Sequence, residues 1–165
     1  MRCVMALHWR SICMPTDFSE ASRPAFRTAI ELAAHFDAEL LLLYVQQIPA
    51  VAYSVVPLQG GVREEMDADA RGLLEGWKRQ AEAQGARRTR VTMVSGQGAS
   101  DEIVRFAARH KADLIVMGTH GRTALAHVLL GSVAEKVVRH AACPVLTVRS
   151  PALRPTQQQR EQLIE

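Results

Sequence analysis

The sequence predicts a single three-layer α/β domain, a five-stranded parallel sheet with helices on both faces. Three observations predict it. Short apolar runs alternate with segments of helical periodicity along most of the chain. One run, Leu40-Leu-Leu-Leu-Tyr-Val45, is continuously apolar, as a strand covered on both faces must be. The 165 residues suffice for one core and leave no room for two ordinary domains.

Ile12-Cys-Met14, just before Pro15, reads as a short first strand. Residues 19–36 then place Phe26, Ala29, Ile30, Ala33 and Phe36 on one helical face. Ser19 or Ser22 caps that helix, and Pro24 fits its first turn only if Ser22 is the cap. Leu40–Val45 is the second strand. Residues 46–61 carry two prolines and two glycines, which is long for a connection and reads as a lid or a partly disordered segment. Residues 62–84 put Val62, Met66, Ala70, Leu73, Leu74, Trp77 and Ala81 at helical spacing, with Gly85 as the stop. Val91–Val94 is the third strand. A third helix follows Gly98 or Ser100, with Ile103, Val104, Ala107 and Ala108 facing inward. Leu114–Met117 is the fourth strand, Val133, Val137, Val138 and Ala141 mark a fourth helix, and Pro144–Val148 is the fifth strand. The domain is expected over residues 10–149, with 1–9 an N-terminal extension and 150–165 a C-terminal tail.

Composition narrows the function classes. A hydrophobic content of 48% with 22% charged residues is ordinary for a soluble globular protein. The net charge of +3 comes from dispersed residues. The densest group, Arg87-Arg88-Thr89-Arg90, falls at a helix-to-strand turn without aromatic partners, so it reads as a solvated turn and not a nucleic-acid patch. The three cysteines, Cys3, Cys13 and Cys143, show no metal-ligand or redox spacing. Cys13 and Cys143 lie in or beside apolar runs and read as buried thiols of a reducing compartment. MRCVMALHWR is broken by His8 and Arg10 and does not read as a signal peptide, and no apolar run approaches membrane-spanning length. A cytoplasmic protein that meets neither membrane nor nucleic acid is expected.

Parallel sheets of this kind bind ligands at the carboxyl ends of their strands, where the strand order reverses. That rule points to Pro15-Thr16-Asp17 after the first strand and to Gly118–Ser132 after the fourth. In the second stretch Gly118 and Gly121 stand three apart, nine residues follow, and then comes Gly131-Ser132. At Gly118, Gly121 and Gly131 a missing Cβ permits positive φ and lets a ligand approach the backbone closely. The first N–H groups of a helix lack intrahelical partners and favour an anion. Two N–H-rich turns around a helix start can therefore hold phosphates. The simpler reading is that the glycines shape a turn, Ser132 is an ordinary N-cap and Asp17 a helix-cap carboxylate. No Walker A loop occurs, and Gly96-Gln-Gly98 lacks the third glycine of a dinucleotide fingerprint.

Together these segments resemble the universal stress protein family. Pro15-Thr-Asp-Phe-Ser-Glu-Ala-Ser22 is similar to its first-strand signature. Met117-Gly-Thr-His-Gly-Arg122 with Leu130-Gly-Ser-Val133 is similar to its nucleotide motif, and His140-Ala-Ala-Cys-Pro-Val-Leu-Thr-Val148 to its last helix-to-strand turn. The resemblance spans residues 10–149. It implies a Rossmann-like, adenine-nucleotide alpha-hydrolase-like fold of strand order 3-2-1-4-5 and membership of the ATP-binding branch. It further implies that Asp17 contacts adenosine, flanked by Pro15 and Thr16, and that Val45 or its neighbour contacts the base through its backbone. Gly118, Gly121, Gly131, Ser132 and Val133 would hold ribose and phosphates, with Met117, His120 and Arg122 in the same motif. The implied ligand is ATP, alone or with Mg²⁺ or Mn²⁺ on its phosphates. The implied assembly is a homodimer through the fifth strand, Val145–Val148. Where family members often carry a glycine and a basic residue, this chain has Ala124 and His127, and Arg122 remains as the loop's cation.

Three functions fit this reading. The first is an ATP-binding regulatory or stress-response protein. The second is an ATP hydrolase or nucleotidyl transferase, for which no convincing pair of reacting groups is seen beyond Asp17, Arg122 and bound metal, so at most slow hydrolysis is expected. The third is an interaction module that binds no nucleotide.

Overall fold

The computed structural model describes residues 8–47, 60–120 and 130–150, with 60–66 as backbone only. The elements run β1 (Ser11–Thr16), a 3₁₀ turn (Glu20–Ser22), α1 (Arg23–Phe36), β2 (Glu39–Gln47), α2 (Gly60–Ala83), β3 (Thr89–Gly96), α3 (Ala99–Arg109), β4 (Leu114–Gly118), α4 (Ser132–His140) and β5 (Val145–Val148). All pairings are parallel, and the order is β3-β2-β1-β4-β5. The expected strand order is thus the observed one.

Alternation along the strands builds two cores. Ile12, Met14, Leu40, Leu42, Leu114 and Val116 face α1 and α2, where they meet Phe26, Ile30, Leu74 and Trp77. Cys13, Leu41, Leu43, Ile115 and Met117 face α3 and α4, where they meet Ile103, Phe106 and Val137. Successive side chains of a strand point to opposite faces, so a strand between two helical layers needs an apolar residue at every position. The run Leu40–Leu43 meets that need, and each of its four side chains is at most 1% exposed.

The strand ends differ from expectation. β1 continues through Pro15 to Thr16. Its pairing with β4 covers only Ile12 and Cys13, so on that side Pro15 lies past the ladder, where an absent N–H breaks no bond. β2 gains Glu39 at one end and Gln46-Gln47 at the other, because the ladder with β3 extends to Gln47. β2 runs to Gln47 and α2 begins at Gly60, so the connection expected over 46–61, as a lid or a partly disordered segment, shortens to 48–59, which lies outside the described residues.

Pro24 occupies the first turn of α1 with Ser22 as cap residue, and Ser19 precedes the 3₁₀ turn, so both serines begin a helix. Gly98, not Ser100, precedes α3. Gly85, with φ of 104°, follows the end of α2, where the Ala86 N–H reaches back to Ala81 O at 3.0 Å. Helix faces are corrected in three places. Leu73 is 50% exposed and Val138 49% exposed, and in α3 Phe106 is buried while Ala108 is exposed. A helix row of four consecutive candidates is wider than the stripe one sheet face can cover, so one edge of each row turns outward.

Packing reaches both margins of the domain. Trp9 lies edge-on to Phe36 at 5.0 Å, and Ser150 is buried. Asp113, just before β4, accepts hydrogen bonds from the N–H groups of Arg10 (2.7 Å) and Ser11 (3.0 Å) and so holds the start of β1 beside β4. Arg90 pairs with Glu39 at 2.7 Å, and Arg88 bonds to Asp37. These arginines line a cleft of about 380 Å³ with Lys78 and Glu82 at the amino ends of β2 and β3, away from the carboxyl ends considered next.

Candidate functional site at the carboxyl ends of strands one and four

The chain leaving β1 closes on itself at once. Thr16 Oγ1 accepts the Phe18 N–H at 3.0 Å and lies 3.3 Å from Ser22 Oγ. The Ser22 hydroxyl donates to Ser19 O at 2.8 Å, and a hydroxyl has one proton, so Thr16 is the donor of that pair. Asp17 Oδ1 accepts both the Ser19 N–H (3.0 Å) and the Ser19 hydroxyl (2.6 Å). The Asp17 carboxylate thus closes the turn into the 3₁₀ segment and does not cap α1 itself.

Between them Phe18 adopts φ of 62°. The left-handed region costs a residue with a side chain about 1–2 kcal/mol. The Phe18 ring sits 5.0 Å from that of Tyr44 and 5.7 Å from that of Trp77.

The chain leaving β4 packs against this turn. A Cβ at Gly118 would stand 3.1 Å from His120 O and 3.3 Å from Ala21 O, both backbone atoms. The glycine therefore lets the end of β4 touch the turn that follows β1. Thr119 is buried, its N–H donates to Val148 O at 3.1 Å, and its Oγ1 is hydrogen-bonded to His120 Nδ1 at 3.0 Å. Gly131 returns to the same place. Its N–H donates to Thr119 O at 2.7 Å, and a Cβ would lie 3.0 Å from that oxygen. Its φ of −66° is open to any residue, so closeness and not conformational freedom requires glycine here.

Gly131 is also the cap residue of α4, and Ser132 is the first residue inside the helix, which corrects the reading of Ser132 as an N-cap. The first intrahelical bond runs from Glu135 N–H to Gly131 O at 2.9 Å. The N–H groups of Ser132, Val133 and Ala134 precede it, at the positive end of the helix dipole. One crossing, Thr119 O against Gly131, thus fixes where α4 begins relative to the end of β4.

The remaining expected residues fall as follows. Thr16 pairs with Tyr44, so Val45 stands one step further along β2 beside the turn. Pro15 and Met117 are buried, Met117 in the α3–α4 core, so each has chiefly backbone to offer a ligand. Gly121 and Arg122, with Ala124 and His127, lie outside the described residues. Among the described residues no group of three His, Cys, Asp or Glu side chains could hold a metal ion. Burial pushes both the Cys13 and the Cys143 thiol up, so neither is a ready nucleophile near neutral pH. Sequence reasoning missed Phe18, Tyr44, Trp77 and Thr119 as parts of this corner. Phe18 and Thr119 had a signal, their places inside the first-strand signature and the nucleotide motif, while Tyr44 and Trp77 had none.

Residues 8–149 match the family model described as the Universal stress protein family. The chain belongs to the universal stress protein family. A universal stress protein of Methanocaldococcus jannaschii is 42% identical over 147 residues, covering 87% of this chain and 84% of that one. The solved universal stress protein UspA from Lactobacillus plantarum superposes with a TM-score of 0.76 at 28% identity, covering 87% of this chain and 99% of that one. A universal stress protein solved in complex with cAMP does so with a TM-score of 0.63 at 28% identity, covering 87% and 98%. The sheet order described above is therefore that of a universal stress protein domain.

Proposed function

We propose that this universal stress protein binds ATP or a related adenine nucleotide at the carboxyl ends of β1 and β4 and works as a regulatory, stress-response protein of the cytoplasm. The carrying observation is the start of α4, pinned to the exit of β4 beside the Asp17 turn. It presents helix N–H groups that have no intrahelical partner at the point where the strand order reverses, which suits a phosphate chain. The family structure in complex with cAMP supports an adenine nucleotide. Asp17 and the backbone of Val45 take the adenosine end, with Pro15 and Thr16 shaping the turn. Gly118, Gly121, Gly131, Ser132 and Val133 take ribose and phosphates, with Met117, His120 and Arg122 around them. Mg²⁺ or Mn²⁺ would enter on the phosphates.

The second reading is a family member that binds no nucleotide, favoured by Ala124 and His127 in the loop. Melting with and without ATP and Mg²⁺ separates the two. Ligand at a hundred times its Kd adds about 2.7 kcal/mol, which raises the melting temperature of a domain this size by about 5–10 °C. An unchanged melt at millimolar ATP rejects nucleotide binding. Asp17 Oδ1 is already engaged by Ser19, so hydrolysis, if measured, is expected to stay far below one turnover per second.

The same reading includes a homodimer through β5. This strand ends the sheet, and its Leu146 is 37% exposed. Light scattering is expected to report a dimer that Leu146→Lys converts to monomer. A monomeric parent protein rejects the assembly.

A further inference from the structure

We infer that Phe18 is the positioning residue for Asp17, and that through it the docking of α2 is felt at the adenosine side of the site. The consequence for binding rests on the nucleotide reading above, while the tether itself does not. Among the described residues three non-glycine positions have positive φ: Phe18, Asp37 and Lys111. Asp37 caps the end of α1 and Lys111 follows the end of α3, where left-handed residues are common. Phe18 ends no helix, so something else must hold it there.

Two things do. Its N–H is tied to Thr16 Oγ1, and its ring lies between Tyr44 of β2 and Trp77 of α2. Trp77 is itself fixed, 7% exposed, with the Phe26 ring at 4.2 Å and the Arg23 guanidinium 5.9 Å from its ring. The clamp thus joins two elements remote in sequence and closes on a residue whose neighbours form the Asp17–Ser19 turn. A glycine would adopt this φ freely but could not fill the clamp. Once the ring is removed, the turn is free to relax towards ordinary φ, and the two bonds that orient Asp17 Oδ1 are lost.

Amide exchange in the nucleotide-free protein tests the tether. In Phe18→Gly and in Phe18→Leu the Ser19 amide is expected to exchange about tenfold faster or more, while the Thr119 amide, bonded to Val148 O, is unchanged. Phe18→Tyr, which keeps the ring, restores Ser19 protection. If Phe18→Gly leaves Ser19 protected, the ring does not position the turn and the inference is overturned. Should the glycine variant fail to fold, the leucine variant decides by the same criterion. The binding consequence is read from a double-mutant cycle of ATP affinities. Phe18→Leu and Asp17→Ala each weaken binding about tenfold or more, and the double variant is no weaker than Asp17→Ala alone to within about threefold. Multiplying losses overturn the positioning role. A parent protein that binds no ATP rejects the nucleotide reading instead, and the Ser19 exchange rates still decide the tether.

Discussion

Replacing Gly131 with valine is expected to abolish the ATP-dependent rise in melting temperature and to lower the melting temperature of the ligand-free protein. The first atom added, Cβ, meets Thr119 O at 3.0 Å, and that oxygen already accepts the Gly131 N–H. Neither backbone strand of the crossing is a flexible side chain that could step aside, so the start of α4 must move away from the end of β4. Overpacking of this kind costs about 1–3 kcal/mol, or several degrees of melting temperature for a domain of this size. The displaced N–H groups of Ser132, Val133 and Ala134 no longer converge on the site. Ser132→Ala is the companion measurement. It keeps every backbone donor and removes one exposed hydroxyl, so it is expected to weaken ATP binding by about tenfold at most. A full ATP shift in the valine variant would show that the crossing does not hold phosphates. Loss of the shift in both variants to the same degree would move the weight from the backbone to the Ser132 hydroxyl.

Phe26→Ala is expected to destabilise the fold by about 3–5 kcal/mol, a large share of the roughly 5–15 kcal/mol available to a domain. Phe26 is 1% exposed, lies in the core between α1, α2 and the sheet, and packs on Trp77. Leu73→Ala, on the other hand, is expected to change stability by less than about 0.5 kcal/mol, because Leu73 is half exposed. Urea denaturation with midpoints and slopes for both variants checks the contrast. Equal losses would mean that α2 presents a different face to the sheet from the one described.

The helix periods of residues 62–84 and of Val133, Val137, Val138 and Ala141 are legible, yet Leu73 and Val138 point outward. Periodicity identifies a face about four residues wide, and the curvature and seating of the helix on the sheet decide which edge of it is covered. Phe106 is missed on α3 for the same reason: the true stripe runs through Ile103, Phe106 and Ala107, and Ala108 lies beyond its edge. The first strand is expected over Ile12–Met14 and in the fold runs on through Pro15, because whether a proline ends a strand depends on which neighbour its missing N–H would have met. At the site, the glycine spacing and Asp17 were visible as residue types in order. Their reasons were not. Gly131 was weighed as a φ-permitting or ligand-approaching glycine, and in the fold it makes room for a carbonyl of the chain itself. The Asp17 turn was read without Phe18, because nothing local shows that a phenylalanine will be held at positive φ by rings from β2 and α2.

The alternation of apolar runs with helical periods and the unbroken run Leu40–Leu43 settle a doubly covered parallel sheet, and the order of the strand-end motifs points to the turns after β1 and β4. These are properties of residue type and spacing along the chain, set by periods of two and 3.6 and by which faces must be dry. The contact of Gly118 with the turn after β1, the crossing of Thr119 and Gly131, and the clamp on Phe18 are of another kind. Each joins segments brought together only when the strands take their order in the sheet, and each turns on a few tenths of an ångström that no pattern in the chain encodes.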